Sequence, residues 1–355
     1  MYGDYPDLKG VKKILVVKMR HHGDVLLTSP LFSVLKQALP KSQIDAFLYR
    51  DTLPMLEGHP AISNFLLYDR SWKKLSFWKK MREEVRLLKK VRKEGYDLVI
   101  NLTEGDRGAI IALVSKSRYK VGFDPEGKGF KGKKKIYTHV VKNCTTPRHT
   151  VEKQLDVLRR IGIFPKPCER DLTLHIPEEA KVSVRAKLCF DGPYVVIHPV
   201  SRWRFKCLPT GRIAELIEQL HKQGSQIVLS AGPDKEELKM CEEILSQTQA
   251  PICNLAGKMT LKELCALIEG SECLICVDSV PLHIASATKT PVIALFGPTS
   301  DKNWGPWMHP QSRVIAQNSP CRPCFMDGCG GSKMSDCLFT LSVSQILQTN
   351  PDSTK

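Results

Sequence analysis

The side chains best suited to chemistry fall in four short stretches, each directly after an apolar run. At residues 273–283 a buried strand climbs to Asp278, and Ser279, Val280, Pro281 and His283 then open a helix. Such a junction lies at the carboxyl end of an α/β sheet, where ligands bind. Its backbone N–H groups and helix dipole favour an anion such as phosphate, and Asp278 and His283 would reach a ribose or a phosphate. The same residues also read as an ordinary helix start, with Ser279 as the cap and His283 buried. In His21-His22-Gly23-Asp24 the glycine permits a sharp turn, and Asp24 either caps the next helix or serves as a general base. Residues 198–209 carry Ser201, Arg202, Arg204 and Lys206, hydroxyl and cationic groups that suit a diphosphate or form a surface loop. At residues 230–237 Gly232 precedes Glu236 and Glu237, which would bind a nucleoside hydroxyl or simply begin an acid-rich helix. No G-x-G-x-x-G follows the first apolar run, so a nicotinamide or flavin site is poorly supported.

These stretches need elements to aim them. Apolar runs at 14–18, 44–49, 64–68, 96–102 and 119–123 read as strands, and 24–39, 72–93, 107–115 and 150–161 as helices, with Pro30 making the first turns of 24–39 irregular. Residues 127–135, GKGFKGKKK, read as a mobile basic loop. Pro165, Pro167 and Pro177 mark an extended linker over 163–178. The rhythm then restarts, with strands at 194–199, 226–230, 252–255, 273–277 and 292–296. Helices fall at 210–223, 234–247 and 260–269, the last with a Thr260/Glu263 capping box. Strands alternating with helices predict two doubly wound parallel α/β domains. They share rhythm rather than residues, so no true repeat is assigned.

The 355 residues suffice for two domains, and 42% hydrophobic content for a packed core. No run approaches the roughly 18 apolar residues of a membrane span. The polar start, residues 1–10, does not read as a signal peptide, and the expected location is the cytosol, at a membrane surface. Of the net charge of +16, residues 1–150 hold 30 Lys and Arg against 15 Asp and Glu; residues 151–355 hold 23 against 22. An acidic partner such as nucleic acid, anionic lipid or a phosphorylated substrate would therefore meet the first half. Nine of the thirteen cysteines are scattered and read as reduced thiols. Cys321, Cys324, Cys329 and Cys337 cluster as C-x2-C-x4-C-x7-C, weak candidates for structural zinc or an iron–sulfur centre and otherwise plain thiols. No metal is assigned. A basic nucleic-acid-binding protein with a cysteine metal site is the rival of another class. The 7% aromatic content and lack of a nucleic-acid motif argue against it.

Taken in order, the Gly23-Asp24 loop, the Lys206 loop, the Gly232-x-x-x-Glu236 turn, Val277-Asp278-Ser279-x-x-x-His283 and Phe296-Gly297-Pro298-Thr299 resemble the ADP-heptose-dependent glycosyltransferases of family 9, the lipopolysaccharide core heptosyltransferases. The resemblance spans about residues 12–345. It implies a GT-B fold of two facing Rossmann-like domains with an interdomain cleft. Residues 1–170 would bind the acceptor, 171–340 would bind ADP-heptose, and 341–355 would form a C-terminal helix and tail. It implies an inverting transfer with ADP-heptose as donor and no cofactor. Asp24 matches the general base and Lys206 the cation facing the departing diphosphate. Ser201, Arg202, Glu236 (with Glu237 adjacent), Asp278, Ser279, Val280 and His283 fall at the donor positions. Val280 replaces the family's usual glycine, which narrows the backbone choices there. Arg20, His21, His22, Arg107 and Lys120 are the acceptor-side candidates. The implied acceptor is the phosphorylated, membrane-bound lipopolysaccharide inner core, met at the cytoplasmic face of the inner membrane, with Lys131–Lys135 or the segment holding Trp72 and Trp78 facing lipid. Met19–Asp24 most resembles the members that add a branch heptose to the second core heptose; members adding the first or second heptose are the near alternative. No D-x-D occurs, which disfavours a metal-chelating donor site of the other glycosyltransferase fold.

Overall fold

The computed structural model describes residues 4–348; the first three residues of the polar start, and residues 349–355 of the helix and tail expected over 341–355, lie outside them. The chain divides into two compact units, Met1–His175 and Ile176–Lys355. Unit one comprises β1 (Lys13–Lys18), α1 (His22–Leu26), α2 (Ser29–Ala38), β2 (Gln43–Tyr49), β3 (Asn64–Tyr68), α3 (Phe77–Glu94), β4 (Leu98–Asn101), α4 (Asp106–Ser115), β5 (Tyr119–Phe123), β6 (His139–Val141) and α5 (Thr150–Arg159). Unit two comprises α6 (Glu178–Lys187), β7 (Val195–His198), α7 (Thr210–Lys222), β8 (Ile227–Leu229), α8 (Lys235–Leu245), β9 (Ile252–Asn254), α9 (Leu261–Glu269), β10 (Cys273–Val277), α10 (Val280–Thr288), β11 (Val292–Phe296), α11 (Asp301–Trp304), β12 (Ser312–Ala316), α12 (Asp336–Phe339) and α13 (Val343–Leu347).

Unit one's strands are all parallel in the order β3-β2-β1-β4-β5-β6. Unit two's are all parallel in the order β9-β8-β7-β10-β11-β12. Counted from each unit's own first strand, both read 3-2-1-4-5-6, the Rossmann order. The chain thus has the two Rossmann-like domains of a GT-B fold. The central strands show why: Ile14, Leu15, Val16 and Val17 of β1 and Leu274 to Val277 of β10 are buried, so both faces are covered and no polar alternation survives.

The structure departs from the sequence reading in several places. The helix expected over 24–39 is two helices, because Pro30 occupies the first turn of α2, where its missing N–H is not needed. The helix expected from Trp72 starts at Phe77. Residues Arg70–Lys74 form a 3-10 turn capped by Asp69, which accepts from the Ser71 N–H, and Trp72 packs on Tyr68 with ring centroids 4.8 Å apart. The edge strands β6 and β12 and the helix α6, which follows Pro177, were not anticipated. The basic loop is anchored at Lys133. Lys133 is buried, donating to Glu104 O at 2.6 Å and pairing with Asp106 at 3.2 Å, because its ammonium finds a carbonyl and a carboxylate there. At the C-terminal end Leu338, Leu341, Val343 and Ile346 join the core that holds Ile213 and Leu216 of α7, so residues 341–348 are part of unit two.

Candidate active site

In a sheet of this order the first and fourth strands lie side by side while their connections diverge, which opens a crevice at their carboxyl ends. In unit two those strands are β7 and β10. The loop after β7 tightens into a 3-10 turn, Arg204–Lys206, and β10 leads into Asp278. Lys206 Nζ donates to Asp278 Oδ2 at 2.6 Å, and Thr299 Oγ1, just after β11, donates to the same oxygen at 2.7 Å. Three strand ends therefore meet on one carboxylate that is only 6% exposed. Ser279 Oγ turns back to Val277 O at 3.2 Å and makes no cap bond to α10, so it does not act as the expected side-chain cap. Val280 takes the first helical position of α10 and is not among the positive-φ residues, so the missing glycine costs no backbone strain. His283 is buried in the same helix.

Around this centre, Ser201 Oγ accepts from the Trp203 N–H at 3.4 Å, and the exposed Arg202 guanidinium lies 5.6 Å from the Trp203 ring. Of the two adjacent acids, Glu236 is exposed, whereas Glu237 folds back onto the turn after β8. Its Oε2 accepts from Gly232 N at 3.0 Å, and a Cβ on Gly232 would stand 2.8 Å from that oxygen. Burial raises the Glu237 carboxyl above its ordinary range, against the lowering effect of the Gly232 N–H.

In unit one the corresponding strands are β1 and β4. Asp24 sits in the first turn of α1, behind the cap position that His21 occupies, and its side chain is half-buried. Arg20 Nε lies 4.0 Å from Asp24 Oδ1, and Arg20 Nη2 3.9 Å from Glu104 Oε2. Lys18, buried at the end of β1, donates to Leu102 O at 3.4 Å. Burial pushes its ammonium down, and the Asp24 charge opposes that shift. His22 Nε2 meets Asp51 O at 3.0 Å, and burial lowers the ring's affinity for a proton; His21 is exposed.

Beside them a cavity of about 550 Å³ is lined by Arg20, Tyr49, Tyr68, Glu84, Leu88 and Arg107, among others. Arg107 stacks over Tyr68 at 4.1 Å and donates to Glu84 Oε1 at 3.2 Å. The Tyr68 hydroxyl donates to the same oxygen at 2.8 Å; burial and then this bond push Tyr68 up to about 12. Arg70 stacks over Tyr49 at 3.9 Å and donates to Arg20 O at 3.1 Å. Aromatic faces with guanidiniums locked over them suit a sugar that carries phosphate.

The structure thus brings Arg20 and Arg107 to one cavity, and Lys206 and Asp278 to one ion pair. It does not bring Lys120 to the cavity. Lys120 lies two residues before Gly122, the partner of the last residue of β4, and its Nζ donates to Ser117 O at 2.6 Å. Tyr49, Tyr68, Glu84, Arg70 and Lys18 were missed. Glu84 looks like any acid on a solvated basic helix until α3 is seen against β3. Among the described residues no group of three or more His, Cys, Asp or Glu is arranged to hold a metal. Cys321 and Cys329 are exposed, Cys324 is half-buried and Cys337 is buried.

The sequence profile of glycosyltransferase family 9 (heptosyltransferase) matches residues 84–334. Lipopolysaccharide heptosyltransferase 3 of Escherichia coli is 38% identical over 293 residues, 81% of this chain and 84% of its own. The family 9 glycosyl transferase of Veillonella parvula DSM 2008 has a similar fold, with a TM-score of 0.76 at 22% identity over 86% of this chain and 85% of that one. So has the ADP-heptose lps heptosyltransferase II of Escherichia coli, with a TM-score of 0.75 at 21% identity over 94% and 96%. This chain belongs to glycosyltransferase family 9, the heptosyltransferases, and is a glycosyltransferase.

Proposed function

We propose that this enzyme moves L-glycero-D-manno-heptose from ADP-heptose to the phosphorylated inner core of lipopolysaccharide, adding the branch heptose to the second core heptose. The observation that carries the chemistry is the Lys206–Asp278–Thr299 cluster at the switch point of unit two. Likeness to lipopolysaccharide heptosyltransferase 3 over most of both chains supports the branch position.

Asp24 takes the proton of the acceptor hydroxyl as that oxygen attacks the anomeric carbon and inverts it. The bond from that carbon to the diphosphate oxygen breaks, its electrons pass to the phosphate, and ADP leaves. Negative charge builds on the β-phosphate, where Lys206 and the N–H groups opening α10 stabilise it. Asp278 and Thr299 hold Lys206 in place. Ser201, Arg202, Ser279, Val280 and His283 line the donor side. Glu237, the acid turned into the β8 loop, binds the nucleoside in preference to the exposed Glu236. The cavity with Arg20 and Arg107 takes the phosphorylated acceptor, with His21 and His22 beside it and Lys120 outside it. An acceptor carried on lipid draws the enzyme to the cytoplasmic face of the inner membrane; no helix among the described residues is long and apolar enough to cross a bilayer.

The test is incubation with ADP-heptose and defined truncated cores, product mass being read. Transfer only to an unbranched, phosphorylated two-heptose core is expected. Transfer to a core with no heptose or one heptose would instead assign the first or second heptose to this enzyme.

A further inference from the structure

We propose that α3 is a docking face for anionic membrane, set against the wall of the acceptor cavity; this identifies the surface behind the membrane contact inferred above. Phe77, Trp78, Met81 and Val85 of α3 are exposed, the first two at 65% and 79%, with Leu75 just ahead of them. At about 100° per residue, these four side chains of α3 fall in one stripe. Leu87 and Val91 fall beside it, against the core of unit one. Arg82, Arg86, Lys89 and Lys93 border the stripe on its other side. The helix Phe77–Glu94 carries eight Lys and Arg against three Glu, a net of +5.

An exposed aromatic pair is unfavourable in water unless something covers it. A helix with an aromatic stripe and a basic flank lies in the interfacial plane of a bilayer, where the rings enter the headgroup boundary and the cations meet anionic lipid. Charge selects that occupant. A second copy meeting the same face would set +5 against +5, whereas an anionic lipid surface complements it. Position agrees with charge. Glu84 and Leu87, on the adjoining side of α3, and Leu88, near that edge of the stripe, line the cavity with Arg20 and Arg107. A membrane lying on the stripe is then about one helix diameter from that cavity, roughly 10 Å, which suits an acceptor sugar tethered to lipid.

The test is sedimentation of the full chain with vesicles rich in phosphatidylglycerol and with vesicles of phosphatidylcholine alone. Binding to the first, weakened by salt, and none to the second is expected. Phe77→Ser/Trp78→Ser and Arg82→Glu/Lys89→Glu should each weaken binding by roughly tenfold or more. An unchanged melting temperature would show that these exposed positions leave the fold intact. The proposal is overturned if the wild-type chain stays in the supernatant with both vesicles, or if the serine variant sediments like wild type. It is also overturned if the chain ignores vesicles but forms a dimer that the serine variant dissociates. Transfer from ADP-heptose to a water-soluble, deacylated phosphorylated core reads the enzymatic proposal separately. It should be the same in the serine variant as in wild type, and its absence in wild type would sink the transferase reading without touching the vesicle result.

Discussion

Asp278 carries two donors on a single oxygen, and that arrangement bears on what each partner does. A lysine held at 2.6 Å by a buried carboxylate cannot swing to solvent, so its charge is already in place when a diphosphate arrives. Lys206→Ala should therefore lower kcat by about 10²–10³-fold, measured in single turnovers, with a smaller change in donor affinity. Asp278→Ala leaves the ammonium without its partner, so donor binding should weaken in calorimetry. The double variant should cost less than the two singles together, because they act through one contact. Asp24→Asn should cut transfer by about 10²–10⁴-fold while ADP-heptose affinity stays near wild type; lost donor binding would contradict the role of base. The places of Asp24, Lys206 and Asp278 in the loops and turns after strands could be read in advance because each follows an apolar run that reads as a strand, and a strand end fixes a neighbourhood. That Glu237 and not Glu236 folds back could not, because it depends on which side of a helix start turns toward Gly232. Lys120 misled for a related reason. Its spacing gave no sign that it stands in the amino-terminal half of β5.

At the scale of elements, local rules held where a signal is confined to one turn. Thr260 and Glu263 form the expected capping box, with Thr260 N donating to Glu263 Oε2 at 2.7 Å. The structure adds what no local rule contains. Glu263 Oε1 also accepts from Ser183 and Lys187 of α6, each at 2.5 Å. Burial works against this carboxylate, but Lys187, Ser183 and Thr260 outweigh it and draw it down to about 2. One acid therefore starts α9 and fastens α6 to it. Glu263→Gln should destabilise the protein by about 2 kcal/mol, the scale of hydrogen bonds to a charged group, read as an earlier urea midpoint. An unchanged midpoint would mean the bridge contributes nothing. The helix α6 itself escaped sequence reading because Pro177 and the prolines before it looked like a continuing linker, yet proline just ahead of a helix is compatible with its start. The late start of α3 escaped because the turn Arg70–Lys74 and α3 share one basic composition.

The whole molecule is two sheets of one order, and each unit buries a histidine that resists protonation in place. In unit one, His59 lies with Nε2 3.2 Å from Ser29 O; in unit two, His198 ends β7 with Nδ1 2.9 Å from Ser230 Oγ. Burial lowers each from 6.5 to about 4. Below pH 6.5 the unfolded chain takes up these protons and the folded chain does not, until about 4. Stability is therefore full above 6.5, rises with pH between 4 and 6.5, and is lost as pH falls through that window. Each histidine should cost about 2 kcal/mol by about pH 5. Glu263 acts in a lower window, contributing above 4.5 and failing as pH falls toward 2, so unit two should weaken in two stages and unit one through His59 first. Two units of this kind need not melt as one, so calorimetric scans at neutral pH and near pH 5 are the measurement. His198→Asn retains a group able to pair with Ser230 but does not titrate, and should flatten the pH dependence of the unit-two transition alone. His59→Asn should do the same for unit one. If both variants keep the wild-type slope, the acid sensitivity lies in the carboxylates, and the two buried imidazoles have no part in it.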